Sequence, residues 1–544
     1  MAFMTGTWSL DVILALSLLL IFLYFYLTPL YRYWKERNVP CLDSSLGFRF
    51  NYDLLMRNKA HADIMREIYK IFDKERFCGF YQFRQPILMV RDLQLIERIL
   101  IKDFSYFEDR GMPLDMKNEP LTMNLSNLRG GQWRALRQKL TPTFTTGKIK
   151  GMLNQIYNCG ADLVKHIETY ARTGEEVDTK TMIFMFSTDV IASCAFGLQI
   201  KSDSPEGQRF KEMVNKSIGN SAFTPLRMAL KQFYPRLANF LRIKSIPSDA
   251  SDYFMNITKA TLAHRLQNNI KREDFFQLLM TLKEKDDKNN IMEKQDNYLN
   301  NTMDSESVKI DTSNEDVQLQ YKYNTDPIGG NLRFTEKLLA AQSFAFLAAG
   351  SESISTTGSV ILHFLAHYPQ TQTRLQAEVD SVLSKCGGQW SYQALQEMTY
   401  LDQVIQEAQR IFPIAHIHLR NCTVPYQIPD TDVVIEKGTV VMVPSQSIQM
   451  DPTYYPNPEV FDPDRFVDKN FKPSPLFSPF GDGPRMCIAM RFAILELKIL
   501  IARIMEKFSV MPSSKTIIPL RYDPSAFSNR PLGGIWVSFH SRSV

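Results

Sequence analysis

Residues Thr335 to His367, TEKLLAAQSFAFLAAGSESISTTGSVILHFLAH, constrain this chain more than any other stretch. They predict one long helix, ended with the help of Pro369, whose apolar residues occupy nearly its whole circumference. Such a helix has to be buried on every side. A membrane span would also bury it, but Gln342, Glu352 and the serines leave no apolar run near the roughly eighteen residues a span requires. What remains is the centre of a large, mainly helical soluble core, which a 544-residue chain with 44% apolar residues can supply. Its middle reads Ala349-Gly350-Ser351-Glu352-Ser353, followed by Ser355, Thr356 and Thr357, all poor company for a helix. Ser355 and Thr356 can bond back to carbonyls four residues earlier. A glycine and a carboxylate in such a core point to a functional groove, because a buried polar group without a partner is costly.

A second apolar segment lies at the N-terminus. Val12 to Leu30 carries no charge, and about twenty helical residues cross the ~30 Å hydrocarbon layer. Asp11 precedes it, no Lys or Arg occurs before it, and no small-x-small cleavage site follows, so an anchor is expected rather than a removed signal peptide. Tyr24, Tyr26, Tyr31, Tyr33 and Trp34 are expected as an interfacial aromatic belt. Arg32, Lys35 and Arg37 place the remainder in the cytosol. The expected organisation is an anchor over 1–31, a linker over 32–45 and one continuous domain over 46–544. The glycosylation patterns at Asn124, Asn215, Asn256, Asn300 and Asn421 are then expected to go unused.

Within the large domain, FCGFYQF and ILMV read as a strand pair split by Arg84-Gln85-Pro86, and Asp92 is placed to cap a following helix. The pattern is then largely helical to about residue 280. From 283 to 331 the chain is rich in Asn, Asp, Lys and Gln, which predicts a mobile surface insertion. The net charge of +5 is faint for this length and shows no clustered basic stripe, so no nucleic-acid partner is expected. Seven cysteines are scattered, odd in number and without a C-x-x-C pair, which reads as free thiols in a reducing compartment.

One of those thiols stands apart. Phe480-Gly481-Asp482-Gly483-Pro484-Arg485-Met486-Cys487 leads into the helical RFAILELKILIARIM. A helix N-terminus and a neighbouring arginine both favour a thiolate, which can serve as nucleophile or metal ligand. At ordinary residue frequencies the four fixed positions of Phe-x-x-Gly-x-Arg-x-Cys recur by chance in such a length on the order of one time in a thousand.

Here the chain resembles the cytochrome P450 family, whose haem iron is held by a cysteine thiolate in such a loop. Other motifs fall in the family's order. Trp133 and Arg137 resemble the pair that meets a haem propionate, Glu407 and Arg410 the Glu-x-x-Arg of the K helix, and Arg465 in FDPDRF the arginine that joins that pair in a buried network. Ala349, Gly350, Glu352 and Ser353 resemble the oxygen-activating segment, and Arg420 sits where many members place another propionate ligand. TPTFTTGK (141–148) and YLDQVIQEAQR are similar to the microsomal animal branch, with the flavour of insect xenobiotic-metabolising members. Two positions depart from the family: Ser353 stands where threonine is usual, and Ala489 where glycine is usual.

The resemblance implies a mainly α fold with small β-sheets, the triangular-prism helical domain of the family behind a transmembrane helix. It implies a haem-thiolate monooxygenase at the endoplasmic reticulum membrane that inserts one atom of dioxygen into a lipophilic small molecule, here a xenobiotic such as a plant allelochemical or insecticide. Haem b would be bound by Cys487, Trp133, Arg137, Arg420, Phe480 and Arg485. Electrons would come from NADPH through NADPH-cytochrome P450 reductase, with cytochrome b5 as a further donor, and Arg485 and Lys498 would face the reductase. Glu352 and Ser353 would relay protons, Gly350 would leave room for dioxygen, and Ala345, Ala348, Ala349, Ala415 and His416 would wall the substrate. A peroxide-rearranging isomerase and a non-catalytic lipophile binder are the alternatives.

Overall fold

The structure, a computed structural model, describes residues 8–27, 32–112, 114–198, 204–218, 227, 230–231, 234–300, 332–468, 471–526 and 528–542. Helix α1 (Trp8–Leu27) covers most of the expected anchor; residues 1–7 and 28–31 of it lie outside the described residues. Among the described residues no helix is long and apolar enough to cross a membrane.

Two cores are built. The first is a four-stranded sheet in which β1 (Phe77–Gln82) pairs antiparallel with β2 (Gln85–Val90). Strand β2 in turn runs parallel to a strand over Val440–Val443, which pairs antiparallel with one over His418–Asn421. The β1–β2 turn is tighter than expected. Only Phe83 and Arg84 lie outside the strands, and Gln85 and Pro86 belong to β2. Proline fits there because pairing with the third strand starts at Ile87, so the missing N–H faces no partner. Phe83 takes a positive φ of 54° and donates its N–H to Asn51 Oδ1 at 2.7 Å. Asp92 caps α2 (Leu93–Glu97), accepting from the Leu95 N–H at 2.8 Å.

The expected linker is docked onto this sheet. Trp34 is buried, its indole donating to the Phe80 carbonyl at 3.1 Å and its ring lying against Gly79, where a Cβ would come within 2.4 Å. Tyr33 and Arg37 reach Glu436. Trp34 is therefore a core residue and not part of an interfacial belt: the free energy of burying the whole indole outweighs its preference for a bilayer surface.

The second core is helical. It comprises α3 (Gly130–Leu140), α4 (Thr146–Thr173), α5 (Thr179–Ala195), α6 (Ser248–Gln267), α7 (Phe275–Asn300), α8 (Glu336–His367), α9 (Thr399–Ile411) and α10 (Met490–Lys507). The helix α8 runs through the middle, packed by α5, α6, α7, α9 and α10, which is why its apolar residues need no solvent face. Thr335 caps it by accepting the Leu338 N–H. The expected insertion departs from its reading at the near end: α7 continues as helix from Lys283 through Asn300, and residues 301–331 lie outside the described residues. Lys283 pairs with Asp287 one turn on, and Asp286 binds Lys139 and the Phe334 N–H, so polar residues here support the helix rather than dissolve it.

Glycines set the closest helix contact. At Gly350 a Cβ would lie 2.3 Å from Ile191 Cδ1 of α5, and at Gly358 it would meet Leu500 and Ile183. The missing side chain of Gly350 thus admits α5; it does not open space for dioxygen. Beside it, the Ser351 and Thr188 hydroxyls lie 3.4 Å apart. Ser355 bonds back to the carbonyl of Glu352, three residues earlier, and the Thr356 hydroxyl has no partner among the described residues.

Candidate active site

The loop from Ser478 to Cys487 is shaped by two glycines with positive φ, Gly481 at 76° and Gly483 at 69°. A Cβ at Gly483 would sit 1.9 Å from the Leu100 carbonyl oxygen, so no other residue fits. Asp482 Oδ1 accepts the Gly483 N–H, and the Cys487 N–H closes the loop on the Phe480 carbonyl at 2.8 Å. Cys487 therefore precedes α10 by one short turn and faces a cavity of about 600 Å³.

Burial pushes the Cys487 thiol up, against the Ala489 N–H, Arg110 and Arg137, which pull it down. The expected depression below the ordinary value is not found, because desolvation of a buried anion outweighs the Ala489 N–H and the two arginines. Nor is Arg485 the charge that acts on the sulfur. Its Nε donates to the Glu108 carbonyl at 2.7 Å, its two terminal nitrogens to Leu125 and Leu128, and it stacks 4.0 Å over Trp133. It is committed mainly to fastening the chain before α3 against the cysteine loop.

Four guanidinium groups line the same end of the cavity: Arg110, Arg137, Arg420 and Arg485. Arg420, on the strand starting at His418, is pushed down to about 9 by burial and by Arg110; Arg485 is held at about 9 for the same reasons. Among the described residues the Arg420 Nε is buried without a partner, and the side-chain hydrogen bond to Arg137 is at its carbonyl, from the Thr141 hydroxyl, rather than at its guanidinium. Asp109 (3.6 Å from Arg485), Asp482 and Glu108, which is already paired with Arg134, are too few to balance them. An uncompensated cationic cluster beside a thiol is a receptor for a dianionic ligand that also offers a metal. Haem, with its two propionates, fits that donor set.

The opposite wall is α8. Ala345, Ala348, Ala349, Gly350, Glu352 and Ser353 all line the cavity, joined by Phe346 and by Phe144 and Phe275 packed against it. Glu352 is held by Lys180 of α5, with Nζ 2.7 Å from Oε1, and the Ser353 hydroxyl donates to the Gly350 carbonyl at 3.3 Å. Phe480, Trp133 and Ala415 also border the cavity, but His416 does not. The chain is irregular until the strand starts at His418, so strand alternation does not carry through; His416 turns to His61, 2.6 Å away, while Ile414, Ile417 and His418 take the wall. Ala489 adopts φ −94°, so its backbone does not demand glycine.

Behind the site, Glu407 and Arg410 form a fully buried two-point ion pair with N···O distances of 2.7 and 2.8 Å. Arg410 also donates to the Gln449 and Pro458 carbonyls, while Arg465 lies 3.4 Å from Glu407. Lys498 is buried against Asp402 at 2.9 Å and Arg485 is buried too, so neither can meet a reductase. Arg110, Lys180 and Glu496 carry no pattern of their own in the sequence and were not among the expected site residues. Glu496, in α10 and on the cavity wall, is buried with one oxygen unpartnered and is pushed up to about 8 by desolvation, opposed by the Ser187 hydroxyl.

Comparison with known proteins decides the family. The model of the family described as Cytochrome P450 matches residues 48–305 and 283–537. The chain belongs to the cytochrome P450 family. This P450 is 33% identical to cytochrome P450 6B7 of Helicoverpa armigera over 99% of both chains. It is 35% identical to cytochrome P450 6a2 of Drosophila melanogaster, covering 96% of this chain and 98% of the relative. It is 32% identical to cytochrome P450 6B1 of Papilio polyxenes, covering 96% and 97%. The mainly helical P450 fold with small sheets, the insect affinity, haem as cofactor and the monooxygenase class follow from this membership.

Proposed function

We propose that this P450 oxidises lipophilic small molecules of foreign origin at the endoplasmic reticulum membrane, with electrons from NADPH delivered by NADPH-cytochrome P450 reductase and in part by cytochrome b5. One observation carries the reading: a cavity of about 600 Å³ lined both by Cys487 and four arginines and by alanines and phenylalanines of α7 and α8. The arginines suit the anionic edge of the cofactor, and the apolar side chains suit a substrate that contributes few hydrogen bonds.

Haem, when bound, supplies the redox chemistry of dioxygen activation, favoured by electron density from its thiolate ligand. The chain does the rest. Cys487 is the iron ligand; Arg137 and Arg420, with spare donors, hold the propionates, and Trp133 with Arg485 braces them. Phe480 borders the cysteine side. Ala345, Ala348, Ala349 and Ala415 exclude water and position the substrate. Ser353 holds a proton at its hydroxyl on the cavity wall, and the Glu352 carboxylate, ion-paired with the Lys180 ammonium, takes up a proton from solvent and passes it through ordered water to the Ser353 oxygen. Retention of the Ser353 hydroxyl favours oxygenation over a peroxide rearrangement, which needs no such donor. Arg129 and Arg491, exposed ahead of α3 and in the first turn of α10, replace Arg485 and Lys498 as the reductase-facing charges. The segment 1–31 tethers the domain to the membrane, with 46–544 on the cytosolic side.

The test is the reduced carbon-monoxide difference spectrum of the full chain, followed by NADPH consumption and product formation with the reductase. A strongly red-shifted Soret band that vanishes in Cys487→Ala is expected. A band that survives the substitution overturns the ligand assignment, and a normal band without NADPH-dependent product leaves a lipophile-binding protein instead.

A further inference from the structure

Between α9 and the strand that starts at His418 the chain runs irregularly, and Ile414, Ala415 and Ile417 of this stretch wall the cavity. No helix or sheet ladder holds such a backbone, so its polar groups must find partners one at a time. The Ile411 carbonyl accepts from the Gln446 carboxamide at 3.5 Å, and the Pro413 carbonyl from the Asn529 carboxamide at 2.8 Å. The Ile414 carbonyl takes the Asn529 N–H at 3.0 Å and the His416 carbonyl the Gln446 N–H at 3.1 Å. Between them the Ala415 carbonyl accepts the Ser445 hydroxyl at 3.4 Å, and the His416 ring is tied in addition to His61.

Gln446 is the hub of these fastenings. It lies in the short helix Ser445–Gln449 at 2% exposure, and neither it nor Asn529 lines the cavity. Its Nε2 also donates to the Tyr522 hydroxyl, and its Oε1 accepts from the Asn529 carboxamide at 3.1 Å. Tyr522 in turn packs on Phe412, with ring centroids 4.6 Å apart. One carboxamide, using its donor and acceptor halves together, thus joins the end of α9 to Tyr522 and Asn529 in the chain beyond α10. A hydrocarbon side chain of the same length offers neither half, and a carboxylate lacks the N–H donors. Without the carboxamide, the Ile411 carbonyl and one N–H of Asn529 are left in the interior unpaired, which the wall relieves by shifting.

We infer that Gln446 is a positioning residue: without lining the cavity, it holds Ile414, Ala415 and Ile417 in one arrangement, so that the cavity selects among lipophiles of equal polarity by their shape. A wall whose carbonyls are committed in this way cannot adapt to a misfitting molecule without breaking several hydrogen bonds at once. The inference rests on the reading of the cavity as the lipophile site.

The test is equilibrium Soret titration of the haem-loaded full chain with imidazole, 1-phenylimidazole and 4-phenylimidazole, in wild type, Gln446→Met and Tyr522→Phe. Each azole binds iron through a ring nitrogen. The two phenyl isomers carry the same apolar surface but aim it differently, so the ratio of their dissociation constants reads the shape of the wall. In Gln446→Met that ratio should change by about fivefold, the equivalent of one lost neutral hydrogen bond, while imidazole binding stays as it was. Tyr522→Phe removes a single hydroxyl from the hub and should change the ratio less, in the same direction. It decides the matter if the methionine variant does not take up haem. A lowered thermal midpoint with an unchanged ratio in Gln446→Met makes the residue merely structural and overturns the inference, as does an equal change for all three azoles. Absence of any Soret shift with the azoles in the wild-type chain instead overturns the reading of the cavity.

Discussion

Replacing Gly350 by alanine tests why a glycine stands in the middle of the most buried helix. Its Cβ would lie 2.3 Å from Ile191 Cδ1 but 3.5 Å from Ile191 Cγ1, the next atom in. Ile191 is buried, so its Cδ1 can give way only by leaving its present packing and turning toward the cavity that it borders. Overpacking of this kind costs about 1–3 kcal/mol, against which alanine regains about 0.5–1 kcal/mol in a helix. A net loss of about 1–2 kcal/mol is expected for Gly350→Ala. Ile191→Val alone should cost about 0.5–1.5 kcal/mol for the lost methyl group. In the double variant the offending atom is gone and the new Cβ meets an ordinary contact, so the costs should not add. A favourable coupling of about 1 kcal/mol or more is expected. The assay is the thermal midpoint of the haem-loaded enzyme for all four members of the cycle, read by Soret absorbance and checked by the carbon-monoxide band. Strict additivity, or a Gly350→Ala protein of unchanged midpoint that has lost only oxygen chemistry, would refute the account and return the glycine to the dioxygen side.

Three further outcomes follow from the geometry. Arg410→Ala strands Glu407 in the core with Arg465 as its remaining cationic neighbour, a loss of about 3–5 kcal/mol; Arg410→Lys should also fail, because an ammonium cannot reproduce the planar grip on Glu407, Gln449 and Pro458, and haem bound per purified chain measures both. Glu496 has its folded pKa raised to about 8 from an ordinary 4.5, so between those values the folded state holds a proton that the unfolded state lacks. Stability therefore falls as pH rises through that window, and Glu496→Gln should flatten the decline of thermal midpoint from pH 6 to 8.5; a parallel decline in both proteins counts against it. Arg137→Gln with Arg420→Gln removes two cations that Arg110 repels, so the haem-free chain should gain thermal stability while haem retention falls; a haem-free chain that becomes less stable speaks against an anion receptor.

The chain displayed the parts of its site that depend on fixed spacing. Cys487 and the two glycines before it are adjacent in sequence, and the turn they make is local, so a pattern suffices. Glu407 and Arg410 are one helical turn apart and meet for the same reason. Arg110 and Lys180 were illegible because nothing near either residue announces a partner; Arg110 meets Cys487 and Lys180 meets Glu352 only through the packing of distant elements. His416 shows the converse error, a strand periodicity extended past the point where the strand begins. Trp34 was misplaced because an aromatic residue beside an apolar helix has the same composition whether it meets lipid or protein, and only Gly79, far along the chain, reveals which. Arg485 was given a charge role, yet its hydrogen bonds go to carbonyls that no sequence pattern exposes.

The docking of Trp34 has a mechanical corollary. From Leu27, where α1 ends, to Tyr33, already tied to Glu436, the chain has six residue steps, which reach at most about 20 Å even when pulled straight. Wherever α1 lodges, the four-stranded sheet must ride within that short leash. The separation between that helix and the sheet is then capped by the Trp34 plug, and residues inserted between Leu27 and Tyr33 would lengthen it.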